Sequence, residues 1–541
     1  MNEKPSVKTF SDNSKIWQHE FDKFTAKVYI PSTDLPDKII NFGYEAPYLL
    51  YFEDTPLSLD EAKSLADSEG FSEIAKRKAT SVVFISPKAN WEDADESLWI
   101  DLIANSKIHQ YHEDGYAILI NRFSHTTDGY AIRGAIFRTF VFAKNKAADF
   151  VATKLLKTIN GDGLWGPADV TLTACILKNL SVTPSIERRD MPFISINNSK
   201  EINNETAKQT DHFYIASSDA DAMTLYNNYL RKYMRWGWVG DLMTQPDFEE
   251  LGMNEEFCSC NIKTSPDNNG DDKGTAEHEV GYIAFYNKNL FEKGKAPLLL
   301  CFHGGGDSAM HISEVSGWYR VAHDHEFLLV CVEDHINSTA TEMMELLQKL
   351  KSKYAIDETR IYATGFSMGG CKTWDMCQEY PKVFAGLAPM DATFEVGLNV
   401  FGNPAPVEIN KDTLVPIFYV GGEVTPLPEL PFQADKCLDR MKYVFGINKV
   451  VKEYNAEFED HENWSNRIWG VDGDEIVKVR DEERDAVMTI HYFLSSDGQK
   501  YTAFASVDNQ GHECRYHSCD QAYRFLKNFT RDTDGKINLP S

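Results

Sequence analysis

The chain has 541 residues, a formal net charge of −27 and ordinary globular proportions of hydrophobic (42%) and charged (25%) residues. This length allows two to four domains, each with a sizeable core. The negative charge argues against a nucleic-acid partner and against binding to anionic membrane surfaces, because both require a basic face.

The N-terminus and the cysteines indicate a cytoplasmic location. The first residues, MNEKPSVKTFSDNSK, lack the apolar core of a signal peptide, and no apolar run of about 18 residues could span a membrane. Several of the ten cysteines lie in apolar runs such as LLLCF, where a reduced thiol packs as a small hydrophobic group. No second cysteine pair stands at zinc-ligand spacing from Cys258 and Cys260, so we expect no metal.

Short apolar runs recur in the same order in both halves, and each is typical of a strand buried in a parallel sheet. The pairs are 46–52 with 296–302, 138–142 with 360–364, and 191–196 with 415–420, followed by helical segments at 219–233 and 519–533. This order predicts an α/β protein of two tandem doubly wound domains, over residues 1–245 and 246–541. The alternative is that any α/β domain produces such a pattern. We interpret the Gly- and Asp-rich segment 264–279 as an exposed loop or linker that joins the domains.

The sequence IYATGFSMGG at 361–370 has the pattern of a nucleophile elbow. Ser367 stands between Gly365 and Gly369, directly after a predicted strand and before a helix-like segment. The strand must turn sharply into the helix, and a Cβ at either glycine would collide with neighbouring backbone. The turn exposes the serine hydroxyl above a helix N-terminus, which favours negative charge. We therefore predict Ser367 as a nucleophile.

A glycine-rich loop precedes the elbow and follows an earlier strand, at His303–Asp307. Glycines there let backbone N–H groups approach a developing oxyanion. We expect one donor from Gly304 or Gly305 and a second from the N–H of Met368, the residue after the nucleophile. A purely structural turn is the alternative.

A serine nucleophile needs a histidine base and an orienting carboxylate, which follow the serine in the order acid, then histidine. His512 follows a predicted strand and turn and precedes the last helix, where the base belongs; His517 is the alternative. For the acid we favour Glu423, at the end of the strand VPIFYV, over Asp391, with Glu429 third.

The residues HGGGDSA, GFSMGG, YVGGEVTP and GHE, in this order, resemble α/β-hydrolases of the group that contains polyhydroxybutyrate depolymerases and feruloyl and acetylxylan esterases. The resemblance covers about residues 280–541. It implies hydrolysis of carboxylic esters, from small molecules or oligomers, through an acyl-serine intermediate and without a cofactor. Ser367 would attack, His512 would act as base and then acid, and Glu423 would orient the imidazole.

Two other functions fit part of this pattern. A prolyl-oligopeptidase-like serine peptidase shares the catalytic fold, but its front domain would show repeated sets of strands. A non-enzymatic assembly protein built on hydrolase folds would have lost the elbow. Helices alternate with strands in the first half and the elbow at Ser367 is intact, so ester hydrolysis is the favoured hypothesis.

The first half lacks the machinery of the second. Aligned on the predicted strands, Asn145 takes the place of Ser367, Glu53–Pro56 that of the glycine loop, Ser199 that of Glu423, and His212 that of His512. We therefore predict a degenerate, non-catalytic α/β-hydrolase-like domain. It would pack on the catalytic half, restrict its entrance or form a homo-oligomer interface.

The second half has an insertion at about 430–505 that the first half does not have. Its segment HENWSNRIWG carries Trp464 and Trp469 in a polar setting. The two tryptophans either line a substrate pocket or form the core of a small subdomain, and the sequence leaves both open.

Overall fold

The computed structural model describes residues 4–32, 36, 47–78, 80–92, 94–99, 110–113, 116–120, 127–132, 138–163, 166–235, 240–305, 307–393, 395–399, 401–424 and 435–539. The chain forms two compact units, Met1–Asp247 (unit 1) and Phe248–Ser541 (unit 2). Glu429, the third candidate acid, lies outside the described residues. Within these ranges no helix combines the length and the apolar character needed to cross a membrane.

Unit 1 is a mixed α/β unit. Its strands are β1 (Ser6–Thr9), β2 (Lys15–Glu20), β3 (Phe24–Ile30), β4 (Tyr48–Phe52), β5 (Ser81–Pro87), β6 (Gln110–Glu113), β7 (Tyr116–Ile120), β8 (Thr127–Ala131), β9 (Thr139–Lys144), β10 (Ile159–Gly163), β11 (Gly166–Val170), β12 (Ala174–Lys178), β13 (Phe193–Ile196), β14 (Phe213–Ile215), β15 (Tyr233–Arg235) and β16 (Leu242–Thr244). Its helices are α1 (Leu59–Ser68), α2 (Phe71–Lys78), α3 (Ser97–Trp99), α4 (Asn145–Phe150), α5 (Lys200–Thr206) and α6 (Ala222–Leu225), with π-helical turns at Val151–Leu155 and Tyr226–Leu230.

Unit 2 has the same kinds of element. Its strands are β17 (Met253–Lys263), β18 (Glu277–Asn287), β19 (Ala296–Phe302), β20 (Leu328–Val332), β21 (Ile356–Phe366), β22 (Gly386–Met390), β23 (Ile417–Gly422), β24 (Glu475–Asp481), β25 (Ala486–Phe493), β26 (Thr502–Val507), β27 (Thr530–Arg531) and β28 (Ile537–Asn538). Its helices are α7 (Ala309–Val315), α8 (Trp318–His325), α9 (Ala340–Lys353), α10 (Met368–Glu379), α11 (Asp435–Ile447) and α12 (Tyr516–Leu526), with 3₁₀ turns at Leu290–Lys293 and Phe458–Asn463.

The two large sheets share an order of strands. Over the described residues, the unit 1 sheet runs β1-β2-β3-β5-β4-β9-β12-β13-β14, and the unit 2 sheet runs β17-β18-β20-β19-β21-β22-β23-β26-β25-β24. In both, antiparallel pairings, three in unit 1 and two in unit 2, lead into a run of parallel strands. The predicted α/β fold with doubly wound sheets is confirmed. A common origin of the two units stays an interpretation.

The central strands are buried along their whole length, because helices cover both faces of a parallel sheet. Every residue of β19 (APLLLCF) and of β20 (LLVCV) is buried. The helices over them begin at defined caps: Thr339 and Glu342 form a capping box at the start of α9. Strands this well covered hold their carboxyl ends in fixed positions, and these ends carry the predicted site.

The interpretation of segment 264–279 as a linker between the domains is wrong. Most of it is the loop that connects β17 with β18, two adjacent strands of unit 2. Ser265 N–H donates to Glu342 Oε1 at 2.8 Å, and Asn268 Nδ2 donates to the same oxygen at 3.0 Å. The polar residues that suggested a linker therefore anchor a loop on the buried Glu342 carboxylate.

The insertion of unit 2 adds α11, β24 and β25 to the chain between β23 and β26, which are neighbours in the sheet. Trp464 is 9% exposed and Trp469 is fully buried, and both belong to the main hydrophobic core. Of the two readings that the sequence left open, the structure favours packed core residues over a pocket lining.

Candidate active site

Ser367 is the only residue between the end of β21 and the start of α10. Its backbone has φ 53° and ψ −118°, a left-handed conformation that costs energy for a residue other than glycine. Its N–H donates to the Met390 carbonyl at 3.0 Å, and its carbonyl accepts from Cys371 N–H at 3.0 Å. The turn is thus held from both sides, and the Ser367 side chain stands at the N-terminus of a 12-residue helix.

The two glycines that flank Ser367 are required by close backbone contacts. A Cβ on Gly365 would lie under 3.0 Å from the Gly369 carbonyl oxygen. A Cβ on Gly369 would lie equally close to the carbonyl oxygen of Phe302, the last residue of β19. The elbow therefore packs directly on the backbone from which the glycine-rich loop starts, and the clash predicted for each position is present.

The glycine-rich loop reaches the residues on both sides of the nucleophile. A Cβ on Gly305 would collide with Met368 Sδ, and a Cβ on Gly304 would lie 3.1 Å from Phe366 Cδ1. Gly304 is buried, whereas Gly305 is exposed. The two loop residues predicted to donate to an oxyanion thus lie against Phe366 and Met368. Gly306, the third glycine of the loop, lies outside the described residues.

Two buried histidines, His303 and His335, contact the backbone carbonyls of this loop. The His303 ring lies between two carbonyl oxygens, with Nδ1 2.7 Å from that of Gly304 and Nε2 2.5 Å from that of Glu333. His335 Nε2 donates to the His303 carbonyl at 2.8 Å. Burial holds the pKa of His335 well below its usual value, which favours the neutral ring. These contacts fix the loop backbone without using the N–H groups of the glycines.

His512 lies in the loop between β26 and α12, as predicted. Its ring packs on the ring of Phe366, the residue before the nucleophile, with 4.6 Å between centroids. The imidazole is 6% exposed. His517, the alternative base, is the second residue of α12 and half-buried. This ring contact places His512 beside the elbow.

Glu423 directly follows β23 and lies against the strand that leads to His512. Its N–H donates to the Val507 carbonyl at 3.0 Å, and its Oε1 accepts from Ser506 Oγ at 2.8 Å. The neighbouring N–H of Val424 donates to the Gln510 carbonyl at 2.9 Å. Two hydrogen bonds thus tie the chain around Glu423 to residues 507–510, just before His512.

The rival acid, Asp391, makes a backbone contact. Its carboxylate is buried, and Oδ1 accepts from the Gly422 N–H at 2.8 Å. Its own backbone is left-handed, with φ 43°. Asp391 therefore holds the end of β23, the strand that presents Glu423.

The predicted residues share one edge of the sheet, at the carboxyl ends of β19, β21, β23 and β26. Among the described residues, neither the Ser367 hydroxyl nor the Glu423 carboxylate makes a hydrogen bond to His512. The loops that carry Ser367, Glu423 and His512 thus meet at one edge of the sheet.

Sequence reasoning missed Asp307, the last residue of the glycine-rich loop. Its Oδ1 lies 3.5 Å from His311 Nδ1, one turn into α7. Burial raises the pKa of Asp307, but the charges of His311, His303 and His512 outweigh it and hold the pKa below its usual value. The available signal was the i, i+4 spacing of Asp307 and His311 directly after HGGG.

The corresponding edge of unit 1 is occupied by a row of hydrogen-bonded side chains. Asp54 accepts from Asn145 Nδ2 at 2.9 Å and from the Ala147 N–H at 2.8 Å. Asn145 Oδ1 accepts from Asn179 Nδ2 at 2.9 Å, and Asn179 Oδ1 accepts from Asn197 Nδ2 at 2.6 Å. The three asparagines end successive parallel strands, and all have left-handed backbones.

The predicted equivalence of His212 with His512 is wrong. The His212 carbonyl accepts from Phe193 N–H at 2.9 Å, as the Tyr501 carbonyl accepts from Ile417 N–H at 2.8 Å. His212 thus precedes β14, at the amino end of its strand, whereas His512 follows β26. The register of β13 with β14 decides this equivalence, and the sequence alone does not give it.

No family model matches the chain. Two curated proteins are similar to parts of it. A poly(3-hydroxyalkanoate) depolymerase C from Paucimonas lemoignei is 29% identical over 114 residues, which cover 18% of this chain and 27% of that protein. A bifunctional acetylxylan esterase/xylanase from Neocallimastix patriciarum is 27% identical over 136 residues, or 24% of this chain and 19% of that protein. The chain thus matches only about a quarter and a fifth of these relatives' lengths.

Solved structures give weaker similarities. An S-formylglutathione hydrolase from Staphylococcus aureus aligns with 51% of this chain and 96% of its own, at 15% identity and a TM-score of 0.30. An acetyl xylan esterase from Aspergillus awamori aligns with 50% of this chain and 99% of its own, at 12% identity and a TM-score of 0.32. The curated matches relate the chain to α/β-hydrolase esterases, the relationship predicted from its motifs.

Proposed function

We propose that unit 2 is a serine hydrolase that cleaves carboxylic esters through an acyl-serine intermediate. Ser367 is the nucleophile, His512 the base and then the acid, and Glu423 the carboxylate that orients the imidazole. The N–H groups of Met368 and of Gly304 or Gly305 stabilise the oxyanion. The reaction needs no cofactor.

The observation that carries this proposal is the backbone of the elbow. Ser367 holds a left-handed conformation between two glycines that admit no Cβ, and the elbow packs on the start of the glycine-rich loop. A fold that merely turned a corner would not need a strained serine there, because glycine adopts this φ without cost. Backbone strain of this kind is found at sites where it serves a mechanism.

The chemistry follows from these positions. Ser367 Oγ attacks the ester carbonyl carbon as His512 removes its proton, and the carbonyl oxygen takes the negative charge. The tetrahedral intermediate collapses when the protonated His512 gives its proton to the departing alkoxide, which leaves as the alcohol. Water then attacks the carbonyl carbon of the acyl-serine as His512 removes one of its protons. The second tetrahedral intermediate collapses when His512 gives this proton to Ser367 Oγ, and the carboxylic acid is released.

The substrate class is supported by the relatives alone. Both curated relatives are named for ester substrates, a polyhydroxyalkanoate in one case and acetylated xylan in the other. We propose a carboxylic ester of a small molecule or an oligomer for this chain. The peptidase alternative is disfavoured, because the large sheet of unit 1 consists of mainly parallel strands with helices and not of repeated antiparallel blades.

A fluorophosphonate probe tests the proposal, because it reacts only with activated serines. We expect one labelled residue, Ser367, and loss of labelling in Ser367→Ala. Asn145→Ser in unit 1 is the matched control: it puts a serine on a similar left-handed backbone, and we expect no labelling there. Folded wild-type protein that neither reacts with the probe nor hydrolyses a panel of p-nitrophenyl esters would contradict the proposal.

A further inference from the structure

We propose that Cys258 and Lys353 of unit 2 form a site of oxidative modification, at which hydrogen peroxide joins the cysteine sulfur to the lysine nitrogen through one bridging oxygen atom. The site lies away from the nucleophile. Lys353 ends α9 and precedes the amino end of β21, whereas Ser367 follows the carboxyl end of that strand. The modification therefore does not depend on ester hydrolysis at Ser367.

The two reacting atoms are in direct contact. Lys353 Nζ donates to Cys258 Sγ at 2.9 Å and to Glu256 Oε2 at 3.0 Å. Cys258 Sγ lies 3.9 Å from the same carboxylate oxygen. A sulfur and a nitrogen that are bonded to one common oxygen lie nearly this far apart, so the bridge forms without movement of the backbone.

Neighbouring side chains hold this contact in place. Glu256 and Cys258 are two residues apart on β17 and therefore point to the same face of the strand. The Tyr354 hydroxyl donates to Glu256 Oε2 at 2.7 Å and fixes the carboxylate from a second side. Lys353 Nζ lies 4.8 Å from the centroid of the Tyr354 ring and 5.7 Å from that of Tyr282. The lysine nitrogen is thus confined beside the sulfur, and such confinement of two reactants speeds their reaction.

A small oxidant can reach this pair. Cys258 is half-buried, and the Lys353 side chain is 44% exposed. All ten cysteines lie within the part of the chain that the structure describes, and eight of them are buried. The other half-buried one, Cys260, shares a strand face with Cys258, but no described lysine nitrogen lies within hydrogen-bond distance of its sulfur. Accessible thiols beside a cation are the ones most open to oxidation, which singles out Cys258.

The bridge forms in two oxidations that consume one hydrogen peroxide each. In the first, the Cys258 sulfur attacks a peroxide oxygen, the O–O bond breaks, and the thiol becomes a sulfenic acid as water leaves. Lys353 then passes its ammonium proton through the adjacent Glu256 carboxylate to solvent. In the second, the amine nitrogen bonds to the sulfenic oxygen, and the sulfenic hydrogen, one amine hydrogen and the second peroxide leave as two waters. Sulfur and nitrogen each give two electrons, and each peroxide takes two.

The product is a covalent link between an edge strand and a helix. Within the described residues β17 is hydrogen-bonded into the sheet on one side only, by β18. The bridge spans 95 positions of the chain and fastens β17 to the end of α9. A link of this span restricts the unfolded chain, so it holds the edge strand in place.

The test treats the full chain with hydrogen peroxide and analyses its peptides by mass spectrometry without a reducing agent. We expect a linked pair whose mass is that of the Cys258 and Lys353 peptides plus one oxygen and minus two hydrogens, and whose link dithiothreitol breaks. Cys258→Ser and Lys353→Arg should lose the linked pair completely, although the second variant keeps the positive charge. Cys260→Ser is the matched control and should form as much of it as wild type does.

Several results would overturn the proposal. One is a wild-type Cys258 that stays a thiol, or that is oxidised without a link to Lys353. Others are a link formed equally by Cys260, and a link that lacks the added oxygen. Circular dichroism checks that each variant is folded, and Lys353→Gln replaces Lys353→Arg if the latter is not. The readout is a mass, so failure of the proposed esterase activity would leave it unchanged.

Discussion

At the end of β9 in unit 1, Asn145 has φ 52°, and at the matching end of β21 in unit 2, Ser367 has φ 53°. Asparagine enters this region more readily than most residues, and its side chain here is bonded to Asp54 and Asn179. Serine has no such preference, and within the described residues the Ser367 hydroxyl makes no side-chain hydrogen bond. In unit 1 the side chain at the turn is hydrogen-bonded to its neighbours. In unit 2 the side chain at the same turn is not, although the backbone is left-handed in both.

The residues two positions before and after the turn also differ between the two units. Unit 1 has Ala143 and Ala147 where unit 2 has Gly365 and Gly369, and both alanines are buried. In unit 2 the missing Cβ atoms allow the elbow to touch the backbone of β19. The comparison teaches that the two units share a left-handed turn after a strand but differ in how closely that turn approaches the neighbouring loop. We therefore expect a nucleophile only in unit 2, where the approach is close.

The largest difference in activity should come from replacing each of the two turn residues with alanine. Ser367→Ala should lower kcat/KM for an ester by about 10⁵-fold, because it removes the nucleophile. Asn145→Ala should leave the kinetics unchanged. Steady-state hydrolysis of an activated ester measures both. Equal losses in the two variants would show that unit 1 takes part in the reaction.

The next effect concerns the acid. Glu423→Gln should lower kcat about 10³-fold, because an amide cannot stabilise the imidazolium. Asp391→Asn keeps an oxygen that can accept from the Gly422 N–H, so a smaller loss is expected. Rates of ester hydrolysis measured under single-turnover conditions distinguish the two variants. A large loss in Asp391→Asn alone would move the assignment of the acid to Asp391.

The glycine difference can be tested through stability. Gly369→Ala should cost about 3 kcal/mol or more, since its Cβ meets the fixed carbonyl of Phe302. Ala147→Gly at the matching site of unit 1 should cost only about 1 kcal/mol, the ordinary helix penalty. Urea unfolding followed by circular dichroism gives both values. A Gly369→Ala protein of wild-type stability would contradict the close packing of the elbow.

The smallest effect should come from the asparagine row of unit 1. Asp54→Ala removes the acceptor of Asn145 Nδ2 and of the Ala147 N–H, which should cost about 1–2 kcal/mol while ester hydrolysis is unaffected. Asp211→Ala removes an exposed carboxylate paired with Arg189 and should cost less than about 0.5 kcal/mol. Thermal unfolding compares the two variants. A loss of activity in Asp54→Ala would contradict a purely structural row.

The alternation of strands and helices along the chain and the elbow could be predicted from sequence because both depend on local pattern. Buried strands such as APLLLCF differ from their surroundings in hydrophobicity, and Gly365 and Gly369 mark a turn that only glycine allows. His512 could be placed after its strand by the same reasoning. These features need only a few residues of context, so one sequence suffices.

Other features depended on contacts between distant segments. The misalignment of His212 required the register of β13 with β14, the anchoring of segment 264–279 required Glu342, and the burial of Trp469 required the packed insertion. None of these contacts leaves a periodic trace in the chain, because each joins residues that lie far apart in sequence.

The sequence by itself determined where the sharp turn at Ser367 and the glycine-rich loop lie, since glycine at fixed positions is a local steric requirement. Only the tertiary structure decided which side chains lie beside the elbow. The His512 ring packs on Phe366, although the two residues are far apart in the chain, because parallel strands bring their carboxyl ends to one edge.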